Sequence, residues 1–110
     1  MIHWPRVNEL REEVGAEDFD EVVELFLEEV EEVIGRFRQT PNRDHLEQDL
    51  HFLKGSALSL GFSSFSDLCQ DGERKSALGQ ADHVNLSAIV EGFEQSKTQF
   101  IAQLSSQIQT

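Results

Sequence analysis

The sequence has a single cysteine, only nine basic residues and no apolar run long enough to cross a bilayer. With one thiol, Cys69, the chain cannot close an internal disulfide, so nothing points to an oxidising compartment. Against the nine basic residues stand 21 acidic ones, for a net charge of −12. Nucleic acid is therefore a poor partner, because its phosphate backbone demands a basic surface. Anionic membrane surfaces are disfavoured for the same reason. No stretch approaches the ~18 apolar residues of a membrane span. The opening Met1-Ile2-His3-Trp4-Pro5-Arg6 leads straight into acidic helical sequence without the apolar centre of a signal peptide, so a cytoplasmic location is expected. Also missing are a Gly-x4-Gly-Lys-Ser/Thr loop for nucleotide phosphates, any convincing β alternation and any internal repeat.

What is present is helical periodicity. Hydrophobic residues make up 38% of 110 residues, enough for one core, so a single domain spanning 1–110 is expected. A short first helix carries Val7, Leu10 and Val14, led by Trp4-Pro5 and stopped by Gly15. The second is the clearest: Phe19, Val22, Val23, Phe26, Val30, Val33, Ile34 and Phe37 recur at three- and four-residue spacing, and Thr40-Pro41 ends it. Between them Glu21, Glu24, Glu28, Glu29, Glu31 and Glu32 read as a solvated face. A third helix begins near Asn42–Asp44 and runs to about Leu60, with Gly61 beyond it. The fourth starts around Ser63-Ser64, turns Phe65, Leu68 and Cys69 inward and fades near Gly79. Asn85 caps the last, whose stripe is Leu86, Ile89, Val90, Phe93, Phe100, Ile101, Leu104 and Ile108. Four long amphipathic helices on short links favour antiparallel neighbours. The expected fold is all-α: an antiparallel up-down four-helix bundle with the short first helix as a lid.

The third helix holds the chemistry. A rotation of about 100° per residue gathers Leu46, Leu50, Leu53, Ala57 and Leu60 into one buried stripe and turns His51 roughly 140° away from its centre. An exposed histidine is ordinarily a surface residue without a task, but its neighbours alter the reading. Gly55 sits mid-helix, where glycine costs roughly 1 kcal/mol relative to alanine. It faces away from the apolar stripe, so clearance beside the imidazole explains it better than close helix contact. Lys54 is one turn along and can swing its ammonium toward a phosphate on His51. Phe52 and Leu58 flank the ring; exposed, they would form a small apolar docking rim.

The run His51-Phe52-Leu53-Lys54-Gly55-Ser56-Ala57-Leu58-Ser59-Leu60-Gly61-Phe62 resembles the signature of histidine-containing phosphotransfer (HPt) domains, whose core is His-x-x-Lys-Gly-Ser/Ala followed by Gly. Gly15-Ala16-Glu17-Asp18 through Leu25-Phe26-Leu27-Glu28-Glu29 is similar to the family's preceding helix, and Phe65 through Cys69 to the following one. The resemblance implies a four-helix bundle with the histidine exposed midway along one helix. It implies His51 as the phosphorylated nucleophile, Lys54 as charge partner and Gly55 as access residue. It also implies Glu73, four residues after Cys69, as the group that bonds the other imidazole nitrogen and orients the ring. Gly72, beside Glu73, departs from a regular helical pattern and predicts a kink or an early end to the fourth helix.

Neutral imidazole is a competent nucleophile near pH 7. The implied reaction is attack by Nε2 on the aspartyl phosphate of a response-regulator receiver domain, or of a hybrid sensor histidine kinase, to give a phosphohistidine. No cofactor is expected in this chain, and magnesium belongs to the receiver. The domain would be a phosphoryl carrier without kinase activity of its own, and a monomer. The competing reading is an acidic helical adaptor that binds a signalling partner through the same face and never carries phosphate. Metal binding finds no support: the four histidines, His3, His45, His51 and His83, include no i, i+4 pair, and no Glu precedes a histidine by three. Cys69, at an apolar helical position beside Gln70-Asp71, reads as a buried small hydrophobe, not a catalytic thiol. Trp4, Phe62 and Phe65 read as core or lid residues.

Overall fold

The computed structural model describes residues 1–39 and 42–108. Thr40-Pro41, expected to end the second helix, and the side chain of Ile108 lie outside the described residues. The helices are α1 (Trp4–Val14), α2 (Phe19–Gln39), α3 (Leu46–Leu60), α4 (Ser63–Ala77) and α5 (Leu86–Ile108). No strand occurs among the described residues; a single antiparallel bridge joins Ile2 to Phe62.

Local chemistry sets the boundaries. Pro5 sits in the first turn of α1, where its missing N–H costs nothing, and Gly15 leaves the helix at φ 89°. The Asn42 side chain accepts from the Asp44 amide at 3.0 Å, opening a single 3-10 turn (Arg43–His45) that feeds α3. At the other end of α3, Gly61 adopts φ 79°, and the Phe62 amide reaches back to the Ala57 carbonyl at 2.8 Å. Asn85 starts α5 by accepting from the Ala88 amide at 3.1 Å. Gly72 neither ends nor interrupts α4, which runs on to Ala77, so the expected early end does not occur. The glycine serves close approach, described below.

The four long helices form the bundle: α2 packs on α3 and α5, α3 on α4, and α4 on α5. Leu46, Leu50, Leu53, Ala57 and Leu60 are all buried, as the stripe on α3 requires. Around them Phe62, Phe65, Phe93 and Phe100 form an aromatic centre, with ring centroids 5.3 to 6.5 Å apart. Each such buried side chain contributes on the order of 1.5–3 kcal/mol of hydrophobic stabilisation. Ion pairs Arg38–Glu94 and Lys97–Glu31 tie α2 to α5 along the outside.

The first helix is the lid. It lies over α3 and α2, burying Val7 and Leu10, while Trp4 stacks on Phe100 at 5.7 Å. Its leading segment is pinned to the α3–α4 corner: the His3 amide donates to the Gly61 carbonyl at 2.7 Å, and Arg6 Nε to the Ser59 carbonyl at 3.2 Å. Two inward assignments do not hold. Leu68 and Ile101 are exposed, and Ser96, between Phe93 and Phe100 on the stripe of α5, is buried. Leu68 instead lies over Gly92 of α5, where a Cβ would come within 2.5 Å of its Cδ1.

Candidate functional site

Leu50 and His51 are consecutive on α3 and point to opposite fates. Leu50 is fully buried, whereas the His51 side chain is 70% exposed. A stripe that fixes one residue in the core fixes its neighbour outside, so packing of α3 holds the ring's backbone in place.

Across the seam, α4 presents Gly72 and Glu73. A Cβ at Gly72 would stand 2.9 Å from Leu50 Cδ1 and 3.3 Å from Val84 Cγ1, so the bare glycine lets α4 approach α3 closely. The next residue then reaches the ring: Glu73 Oε2 lies 2.8 Å from His51 Nδ1. A carboxylate can only accept, so Nδ1 carries the hydrogen, and in the neutral ring Nε2 keeps its lone pair.

The other carboxylate oxygen meets Lys54. Its Nζ is 2.8 Å from Glu73 Oε1, forming an ion pair. The Lys54 ammonium first, and the His51 ring after it, hold the Glu73 carboxyl below its ordinary range against the opposing effect of partial burial. Lys54 is itself about three-quarters covered, its side chain 25% exposed. The sequence placed Lys54 near His51, and the contact of its ammonium with Glu73 was not read from it. A signal existed, in that each of the two had been linked separately to the same imidazole.

Gly55 faces open space: a Cβ there would meet nothing within 4 Å. No neighbouring helix therefore demands a glycine at that position. Phe52 and Leu58 are 39% and 57% exposed, so both remain available as an apolar rim on either side of Gly55. Beside Leu58, a cleft of about 390 Å³ opens between α1 and the end of α3, lined by His3, Pro5, Arg6, Glu9, Ala57 and Leu58 among others.

Cys69, one turn before Glu73, is fully buried, and burial followed by the Glu73 charge pushes its thiol up to about 12. It is filler for the core. His3, His45 and His83 are exposed and do not join His51. Among the described residues no group of three or more His, Cys, Asp or Glu is placed to hold a metal ion. No helix among them is long and apolar enough to cross a membrane.

An exposed imidazole pinned at one nitrogen by a carboxylate, midway along a bundle helix, is the kind of site that carries a group on the free nitrogen. The family model for the Hpt domain matches residues 21–109, and the chain belongs to that family. Its role is accordingly in phosphotransfer within two-component signalling. The matched span contains His51, Lys54, Gly55 and Glu73, while α1 precedes it. Comparison with curated proteins and with solved structures finds no match.

Proposed function

We propose that this chain relays a phosphoryl group between aspartates of receiver domains, carrying it on Nε2 of His51. The observation that supports the reading most is the ring itself: exposed, with Nδ1 bonded to the Glu73 carboxylate and Nε2 left for an incoming group.

In the step proposed, the Nε2 lone pair attacks the phosphorus of the partner's aspartyl phosphate. The N–P bond forms as the P–O bond breaks, and the aspartate leaves with the electron pair. The ring gains positive charge, and Glu73 offsets it through the Nδ1 hydrogen. Lys54 adds positive charge to the site. The second transfer reverses the step onto another receiver's aspartate. Magnesium, supplied by the receiver, would neutralise phosphoryl oxygens during both passages.

Access and docking complete the proposal. Gly55 leaves the approach to the ring clear, and Phe52 and Leu58 give a receiver apolar surface to close over. The chain acts as a carrier with no kinase activity of its own, as a monomer in the cytoplasm with the receivers it serves.

The test is incubation with a receiver phosphorylated on aspartate. The expected product is acid-labile, base-stable label on this chain, absent from His51→Gln. Binding without label would make the chain an adaptor. Equal labelling of His51→Gln would move the site elsewhere.

A further inference from the structure

We propose that the cleft between α1 and the end of α3 selects among receiver domains, taking an apolar side chain of the partner with a basic residue beside it. This rests on the relay reading of His51, since a receiver engaged with that ring is what comes within reach of the cleft.

Leu58 follows His51 by seven residues on α3. Seven residues fall about 20° short of two turns and rise about 10.5 Å, so both side chains leave the helix on the same side. An interface of standard size covers about 800 Å² on each partner, a patch roughly 16 Å in radius. A receiver centred on His51 therefore extends past Leu58, which is 57% exposed and forms one wall of the cleft. The opposite wall is tied in place. The His3 amide on the Gly61 carbonyl and Arg6 Nε on the Ser59 carbonyl hold α1 against the corner. Gly61 makes room for that contact, because a Cβ there would stand 2.8 Å from the His3 carbonyl oxygen. A cleft already held open costs little ordering to fill. Its apolar surface, from Pro5, Ala57 and Leu58, suits a branched or aromatic anchor.

Charge at the edge defines the anchor's neighbour. Glu9 lines the cleft and shares the one Arg6 guanidinium with Glu13, so two carboxylates face a single cation and the edge is net negative. A basic side chain on the receiver is matched there, and an acidic one is repelled. Because α1 precedes the span that the family model matches, the cleft adds to the ring a contact that the matched span alone does not build. Receivers with the same chemistry at the aspartate are then told apart at α1.

Three variants test this. His3→Trp crowds the cleft from the α1 side, and Glu9→Lys reverses the charge at its edge. Glu24→Lys makes the same charge change two turns before Glu31, on the α5 side of α2. The probe is the receiver domain of the same organism that wild type binds most tightly. Titration calorimetry with this receiver, unphosphorylated, should show His3→Trp and Glu9→Lys each weakening binding by about tenfold. Glu24→Lys should weaken it by less than about threefold. In phosphoryl uptake the two cleft variants should raise KM by about tenfold and leave kcat within about twofold. Helical circular dichroism should match wild type throughout. The proposal is overturned if both cleft variants bind as wild type does, or if Glu24→Lys weakens binding as much as Glu9→Lys. The calorimetry needs no phosphate. Binding lost in the cleft variants, with no label on wild type, would end the relay reading and keep the cleft. Label on wild type, with affinity and KM unmoved in both cleft variants, would do the reverse.

Discussion

Gly72 on α4 faces Leu50 on α3 so closely that a Cβ on the glycine would stand 2.9 Å from the leucine's Cδ1. The residues next to them, Glu73 and His51, form the hydrogen bond of the site. Core contact and site contact are therefore neighbours on both helices, and the first sets the distance for the second.

Two glycines should consequently answer oppositely to alanine. At Gly72 the gain in helix propensity, up to about 1 kcal/mol, is outweighed by overpacking of about 1–3 kcal/mol against a buried leucine. A net loss of about 1 kcal/mol in urea unfolding is expected. Gly55→Ala, facing open space, should instead gain about 0.5–1 kcal/mol. A gain at Gly72 would mean that Leu50 yields freely.

Bulk at Gly55 should cost transfer without costing the fold. Gly55→Gln is expected to slow phosphoryl uptake about tenfold, roughly 1.4 kcal/mol on the barrier. Helical circular dichroism should be unchanged. Equal rates would remove the access role.

The rim makes a separate prediction. Phe52→Ser and Leu58→Ser, both at exposed positions, should leave stability within about 0.5 kcal/mol. Together they should weaken receiver binding by about tenfold or more, read by titration calorimetry. Unaltered affinity would place docking elsewhere on the bundle.

Acid should uncover the Glu73 pairing. The Lys54 ammonium, and then the His51 ring, lower the Glu73 carboxyl from its ordinary 4.5, so the folded chain binds that proton less readily than the unfolded chain does. The stabilisation is fully present above about 4.5 and is lost as pH falls through the lowered folded value. Asp71, lowered by Lys75 and then Arg74, acts in the same direction. Urea midpoints of wild type and Glu73→Gln, followed from neutral pH to about pH 3, should differ above 4.5 and converge below it. Divergence on acidification would contradict the assigned pairing.

Ser96 offers a gain in stability. Its hydroxyl is buried on α5, on the face that holds Phe93 and Phe100, and has no hydrogen-bond partner among the described residues. Ser96→Ala should raise stability by about 1 kcal/mol in urea unfolding, since an unpaired buried hydroxyl costs about that much or more. A loss of stability would reveal a bond the hydroxyl makes after all.

Periodicity made most of the bundle legible. The stripe on α3 was complete from Leu46 to Leu60, and the turn chemistry of Asn42, Gly61 and Asn85 marked real ends. A helical wheel shows which side is apolar but not which neighbour covers its edge. Leu68 and Ile101 failed for that reason, lying about 100° from the centres of their buried stripes. Ser96 was findable by the same arithmetic, standing three residues after Phe93 and four before Phe100, but its polar side chain hid it. Gly72 was misread because local propensity speaks of helix breaking, whereas its reason lies on another helix. In the site, helical spacing set His51, Lys54 and Gly55 on the outward side of α3, whereas Glu73 came from the family resemblance. The ion pair of Lys54 with Glu73 depends on how far α4 stands from α3, which no single helix encodes.

The hydrogen on Nδ1 has one last implication. With that position engaged by Glu73, the ring offers incoming phosphorus a single nucleophilic atom, so the mark it bears should be one regioisomer. An antibody selective between the two phosphohistidine isomers would then recognise this chain with the reagent for Nε2 and ignore it with the other.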